Sequence, residues 1–257
     1  MSASRDDILK ELGLMPVWKS RRPVEQQQEE IAVAEPATAV VDASRESPRS
    51  VARALPLDPR AAGIAGCEWP QLKDSVAGCV ACPLHKGRNK TVFGVGDESA
   101  EWMFIGEGPG AEEDMKGEPF VGQAGRLLDN MLAAIKLKRG HNVYIANVVK
   151  CRPPNNRNPE PGEVAQCEPY LHRQIELIKP KLIIALGKVA AVNLLKREMP
   201  VASMRGKIHE YQGIPLIVTY HPAYLLRSLP EKAKAWADLC FAVETMRGLQ
   251  TARTAPT

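Results

Sequence analysis

Four cysteines are the first residues in this sequence whose types and spacing could do chemistry. Cys79 and Cys82 form a C-x2-C pair followed by Pro83, Cys151 lies in NVVKCRPP, and Cys167 falls in the helical pattern beyond it. Four thiolates are enough for an iron–sulfur cluster or a structural zinc, and spacing alone does not separate the two. Cys67 and Cys240 have no partner at ligand spacing. Without a secretory leader, the six cysteines point to metal or redox chemistry rather than disulfides.

A second set of side chains could act on a ligand. Glu107 stands in GEGPGAEED, where Gly106, Gly108 and Gly110 let the backbone approach a ligand closely. A phosphate cradle fits poorly here: Glu107, Glu112, Glu113 and Asp114 would repel phosphate, and no G-K-[ST] follows. Phe120, one of only four phenylalanines, sits in a turn-rich loop after Pro119, a position suited to stacking on a planar ligand. Asn147 offers a donor and an acceptor side by side, the pattern that reads a base edge. His221 precedes Pro222, and Tyr224, Leu225 and Leu226 then make an apolar tip beside Arg227, the pattern of a wedge that enters a base stack.

These residues need a frame. Four short apolar runs, at 102–105, 143–148, 182–186 and 216–219, read as buried parallel strands. Helical patterns at 123–135, 161–178, 188–195 and 231–249 separate or follow them. The alternation predicts an α/β fold, a three-layer α/β/α sandwich around a central four-stranded parallel sheet. Ligands of such sheets sit beyond the carboxyl ends of the strands, where Glu107, Asn147 and His221 fall.

The 257 residues, 44% hydrophobic and 25% charged, can bury a core of useful size. Residues 1–66 carry nine Lys/Arg against ten Asp/Glu, a balance of −1, so of the net charge of +4 the remainder carries +5. A mildly basic domain is compatible with DNA without announcing it. Within 1–66, a short amphipathic helix is expected over 5–14, followed by Trp18 and a linker of disordered composition. That helix with Trp18 suits docking to a protein partner. The globular pattern runs from Cys67 to residue 250, with 251–257 as a disordered tail. No stretch reaches the roughly 18 apolar residues of a membrane span. MSASRDDILK lacks the basic start and apolar run of a secretory signal. A cytoplasmic location is therefore expected, with nucleoid association through DNA.

Taken in order, C-V-A-C at 79–82, GEGPGAEED at 106–114, GEPFVGQAGRLLD at 117–129, NVVKCRPPNNR at 147–157, Cys167, ALGKVAA at 185–191, RGK at 205–207 and HPAYLLR at 221–227 resemble the family 4 uracil-DNA glycosylases, the iron–sulfur class of bacteria and archaea. The resemblance covers about residues 67–250. It implies a monofunctional DNA glycosylase that flips uracil out of DNA and hydrolyses its N-glycosidic bond, initiating base excision repair. It implies a four-iron four-sulfur cluster on Cys79, Cys82, Cys151 and Cys167, structural in role. It places Glu107, Gly108, Pro109, Phe120, Asn147 and His221 around the base, with Glu107, Asn147 and His221 catalytic. Against single- or double-stranded DNA it places Gly122, Gln123, Arg205, Lys207, Tyr224, Leu225, Leu226 and Arg227. A monomer is expected. Two other readings remain: a relative that captures uracil-DNA covalently through a histidine in an inserted basic loop, and a non-catalytic, zinc-stabilised nucleic-acid-binding module. RPPNNRNPEPGEV after Cys151 contains no such histidine insertion.

Overall fold

The apolar runs do form strands, because residues buried on both faces have no reason to alternate with polar ones. In the computed structural model, residues 59–252 are described. Of the helix and linker expected within residues 1–66, the part up to residue 58 lies outside them, as does the expected tail beyond residue 252. The described elements run α1 (Pro59–Ala65), α2 (Trp69–Ala77), β1 (Val95–Gly96), β2 (Trp102–Gly106), α3 (Ala111–Lys116), α4 (Gln123–Ala134), β3 (Val143–Asn147), α5 (Pro161–Ile178), β4 (Leu182–Leu186), α6 (Lys188–Leu195), α7 (Val201–Met204), β5 (Ile208–Tyr211), β6 (Ile214–Thr219), α8 (Pro222–Arg227) and α9 (Glu231–Ala252).

The sheet has six strands in the order β1-β3-β2-β4-β6-β5. Its centre is the expected parallel quartet β3-β2-β4-β6. The expectation of four strands is corrected at both edges, where β1 pairs antiparallel to β3 and β5 antiparallel to β6. Neither edge strand carries a buried apolar run: β1 is two half-buried residues, and β5 is mostly exposed. Periodicity therefore gave no sign of them.

Strand residues alternate between two cores. Met103 and Ile105 of β2 pack with α1, α2, α5 and α6 through Ile64, Leu72, Ile175 and Leu194. Trp102 and Phe104 face the other way, against α4 and α9 through Leu128, Leu132, Ala242 and Met246. This is the three-layer sandwich. It begins before Cys67: α1 is helical, Ile64 is 3% exposed, and the Arg60 guanidinium lies 5.0 Å from the Tyr170 ring centre. At the other end α9 runs to Ala252, past the expected boundary at residue 250. Among the described residues, no helix is long and apolar enough to cross a membrane.

β3 lies on one side of β2, and β4 and β6 lie on the other. The connections therefore diverge at β2, which opens a crevice at the carboxyl ends of the strands. Gly106 and Asn147, the last residues of β2 and β3, stand side by side in register.

Candidate active site

The crevice is a solvent-open cleft of about 410 Å³. Glu107, Gly108, Pro109, Phe120, Asn147, His221, Tyr224 and Arg227 line it, as does Glu113 together with the segment Asn156–Arg157–Asn158. Every residue expected around a base is thus gathered at one place from three strand ends and one loop.

Asn147 is 2% exposed, and its Oδ1 is buried with no hydrogen-bond partner. An unsatisfied buried acceptor costs about 1–3 kcal/mol. Such a cost at the wall of a cleft marks an atom waiting for a donor from a ligand.

Phe120 is 6% exposed and holds φ at 54°, the left-handed region. An aromatic residue there stores on the order of 1–3 kcal/mol and persists only where its surroundings over-determine it. Glu113 supplies part of that constraint. One of its carboxylate oxygens accepts the N–H groups of Val121 (2.9 Å) and Gly122 (3.1 Å), and the other accepts Gly110 N–H at 3.1 Å. The signal for this role was in the sequence, as a glutamate three residues after a helix-starting glycine, the capping-box spacing. Gly106 completes the corner. A methyl group at that position would stand 2.5 Å from both Asn147 Oδ1 and Phe120 Cζ. Gly106→Ala is therefore expected to displace the ring and the amide together and to slow base release at least about tenfold. A single-turnover rate within twofold of the parent would show that the pair is not held by this contact.

His221 ends the loop after β6 and caps α8, its Nδ1 accepting Ala223 N–H at 3.1 Å. With Nδ1 an acceptor, the proton of the neutral ring resides on Nε2, which is left as a donor. Burial, followed by the nearby Arg227 charge, pushes the ring's pKa down to about 4, so the ring is neutral near pH 7. It lies 5.5 Å from the Phe120 ring, at 31°. Burial alone pushes the Glu107 carboxyl above its ordinary range.

The remaining expected DNA contacts divide. Tyr224, which lines the cleft, and Leu226 are each 38% exposed. Gln123 at the start of α4 and Lys207 before β5 are exposed, and Gly122 is buried. Two expectations are corrected. Leu225 is 1% exposed, because residues 222–227 form a helix whose inner face packs into the fold rather than an apolar tip. Arg205 is not a free cation: its Nε and Nη2 bond the Asp238 carboxylate at 2.6 and 2.9 Å, and its guanidinium covers the Tyr220 ring at 4.7 Å. Asp238 also accepts Thr219 Oγ1 at 2.7 Å. Arg205 therefore braces the end of β6, just ahead of His221. Arg157 went unanticipated because its partner Glu163, bound through both guanidinium arms at 2.7 and 2.9 Å, has no helical spacing to it.

Cys79, Cys82, Cys151 and Cys167 line a second, much smaller pocket. Donors point at their sulfurs: Arg88 Nη1 lies 3.1 Å from Cys151 Sγ, Lys150 N–H 3.3 Å from Cys167 Sγ, and Arg60 Nη2 3.6 Å from Cys79 Sγ. Among the described residues, no three His, Cys, Asp or Glu side chains are clustered as a single metal ion requires. Lys150 joins the two cavities. It is 1% exposed, and its Nζ donates to the Asn147 carbonyl at 2.8 Å and to Gln174 Oε1 at 2.6 Å.

Residues 93–240 match the model of the uracil DNA glycosylase superfamily. A type-4 uracil-DNA glycosylase of Archaeoglobus fulgidus is 50% identical over 159 residues, spanning 59% of this chain and 79% of that protein. One from Pyrobaculum aerophilum is 44% identical over 179 residues, spanning 66% of this chain and 90% of its own length. One from Thermotoga maritima is 46% identical over 159 residues, spanning 61% and 82%. The superfamily model spans the cleft at the diverging strand ends, and the chain belongs to the uracil-DNA glycosylase superfamily, among its type-4 members.

Proposed function

We propose that this chain takes uracil from DNA by hydrolysing the N-glycosidic bond, the opening step of base excision repair. The buried, unpartnered Oδ1 of Asn147 carries the reading. The base is flipped into the cleft, since its glycosidic bond is out of reach within a duplex. Phe120 stacks on the ring. Asn147 Oδ1 accepts the uracil N3–H, and its amide donates to O4. Cytosine offers an acceptor at N3 and a donor at its 4-position, so both contacts would be mismatched. Sites built on such buried pairs discriminate strongly.

Bond breaking leaves an oxocarbenium-like sugar and an anionic base. His221 Nε2–H donates to uracil O2 as the charge develops there. A neutral, pre-oriented donor stabilises that charge without having to reorganise during the reaction. Glu107 faces the sugar side, where its negative charge favours the cation and its oxygen orients the water. Tyr224, Leu226, Arg227, Gln123 and Lys207 contact the DNA around the cleft, with phosphate contacts made by the cations.

The four cysteines suit the four-iron four-sulfur cluster that the resemblance to the iron–sulfur class implies. All four line one small pocket, and N–H donors already face the sulfurs, as they do around cluster-ligating thiolates. The cluster would supply a rigid cross-link between the segment after α2, the loop after β3 and α5. Every step at the base belongs to the side chains of the cleft. The protein as isolated is expected to contain about four irons per chain and to release uracil from a uracil-containing oligonucleotide without added cofactor. Stoichiometric zinc would overturn the cluster, and failure to release base from either single- or double-stranded substrate would overturn the activity.

A further inference from the structure

We infer that Arg139, which does not line the cleft, is a positioning residue for the base-stacking ring of Phe120; the inference rests on the stacking reading above. Arg139 lies beyond α4, in the turn that leads to β3. Its Nη1 donates to the Pro119 carbonyl at 2.9 Å and its Nη2 to the Phe120 carbonyl at 2.8 Å. The fork is aimed by Asp129 of α4, whose Oδ1 accepts Nε at 2.9 Å. The guanidinium is thus held at three points, which only an arginine's planar geometry allows.

The contacts converge on the aromatic residue that the cleft holds in the left-handed region. Phe120 sits at φ 54°. The carbonyl before it and its own carbonyl face the Arg139 cation, while the two N–H groups after it face the Glu113 anion. A charged donor and a charged acceptor therefore fix the peptide planes on the two sides of the ring. α4 approaches so closely that a methyl group at Gly125 would lie 1.8 Å from the Phe120 carbonyl oxygen. Without the Arg139 fork, the peptide is free to relax out of the left-handed region, and the ring moves with it. Misplacement of a positioning group by about an ångström costs up to on the order of a hundredfold in rate.

A double-mutant cycle on the full-length protein tests this. Single-turnover uracil release is measured for the parent, Arg139→Ala, Phe120→Ala and the double variant, with thermal unfolding and iron content followed for each. Arg139→Ala is expected to lose about tenfold to a hundredfold, and the double variant to match Phe120→Ala alone, because Arg139 then has no ring left to place. Arg139→Lys, with its charge kept but its fork lost, should recover only part of the rate. Asp129→Asn keeps the arginine but loosens its aim, and should lose a smaller factor with unfolding unchanged; it keeps the test open should Arg139→Ala fail to fold. Losses that multiply in the double variant would overturn the inference while leaving the stacking reading intact. A Phe120→Ala rate equal to the parent would overturn the stacking reading, and the inference with it.

Discussion

Asn147→Ala is expected to slow uracil release roughly a thousandfold while leaving the protein folded and close to its parent stability. The rate loss follows from removing two hydrogen bonds to the flipped base, each worth about 1–3 kcal/mol. The stability forecast follows from the orphaned acceptor. Oδ1 is buried without a partner, so the folded protein already carries its desolvation cost. Alanine removes that cost and leaves a small space at the wall of an open cleft, where water can enter. Activity and stability should therefore separate, which a residue that merely supports the fold would not show. The check is single-turnover release from a uracil-containing oligonucleotide alongside thermal unfolding. A variant that unfolds several degrees lower with proportionate activity loss would make Asn147 structural.

The second large effect is at His221. His221→Ala removes the one neutral donor placed for uracil O2, and losing such a donor costs about a hundred- to a thousandfold. The same residue predicts a dependence of stability on pH. Its pKa is about 4 in the fold, against an ordinary value of 6.5. Between those values the unfolded chain takes a proton that the folded chain refuses. The favourable contribution is present above pH 6.5 and is lost as pH falls toward 4. His221→Gln, which keeps a polar side chain without a titrating ring, should flatten that part of the stability profile. An unchanged acid slope in the variant would show that the ring does not titrate as its surroundings imply.

Much of the site was legible from local pattern. A buried strand announces itself by an unbroken apolar run, so the four parallel strands could be placed, and with them the positions where ligands gather. Glu107, Asn147 and His221 were singled out because polar side chains at such ends need partners. Helices α4, α5, α6 and α9 of the outer layers were equally clear, whereas α1 and α2, which also pack on the sheet through Ile64 and Leu72, were not. The edge strands were not legible: they are short, exposed, and recruited by pairing to a neighbour.

What the sequence by itself determined was the chemical inventory and its rough placement: four thiols, an amide, an imidazole, a carboxylate and an aromatic ring, half of them at or just past the end of a buried strand. What only the tertiary structure decided was which of these groups are free to act. Arg205 looked like a DNA-binding cation until Asp238, far along the chain, neutralised it. Leu225 looked like a wedge until α8 turned it inward. Phe120 looked like a loop residue until Glu113, Arg139 and the close approach of α4 forced it into a strained conformation over the cleft. The reason is physical. Burial follows hydrophobic period, which is local. The pairing of charges and the locking of peptide planes depend on groups that only folding brings together.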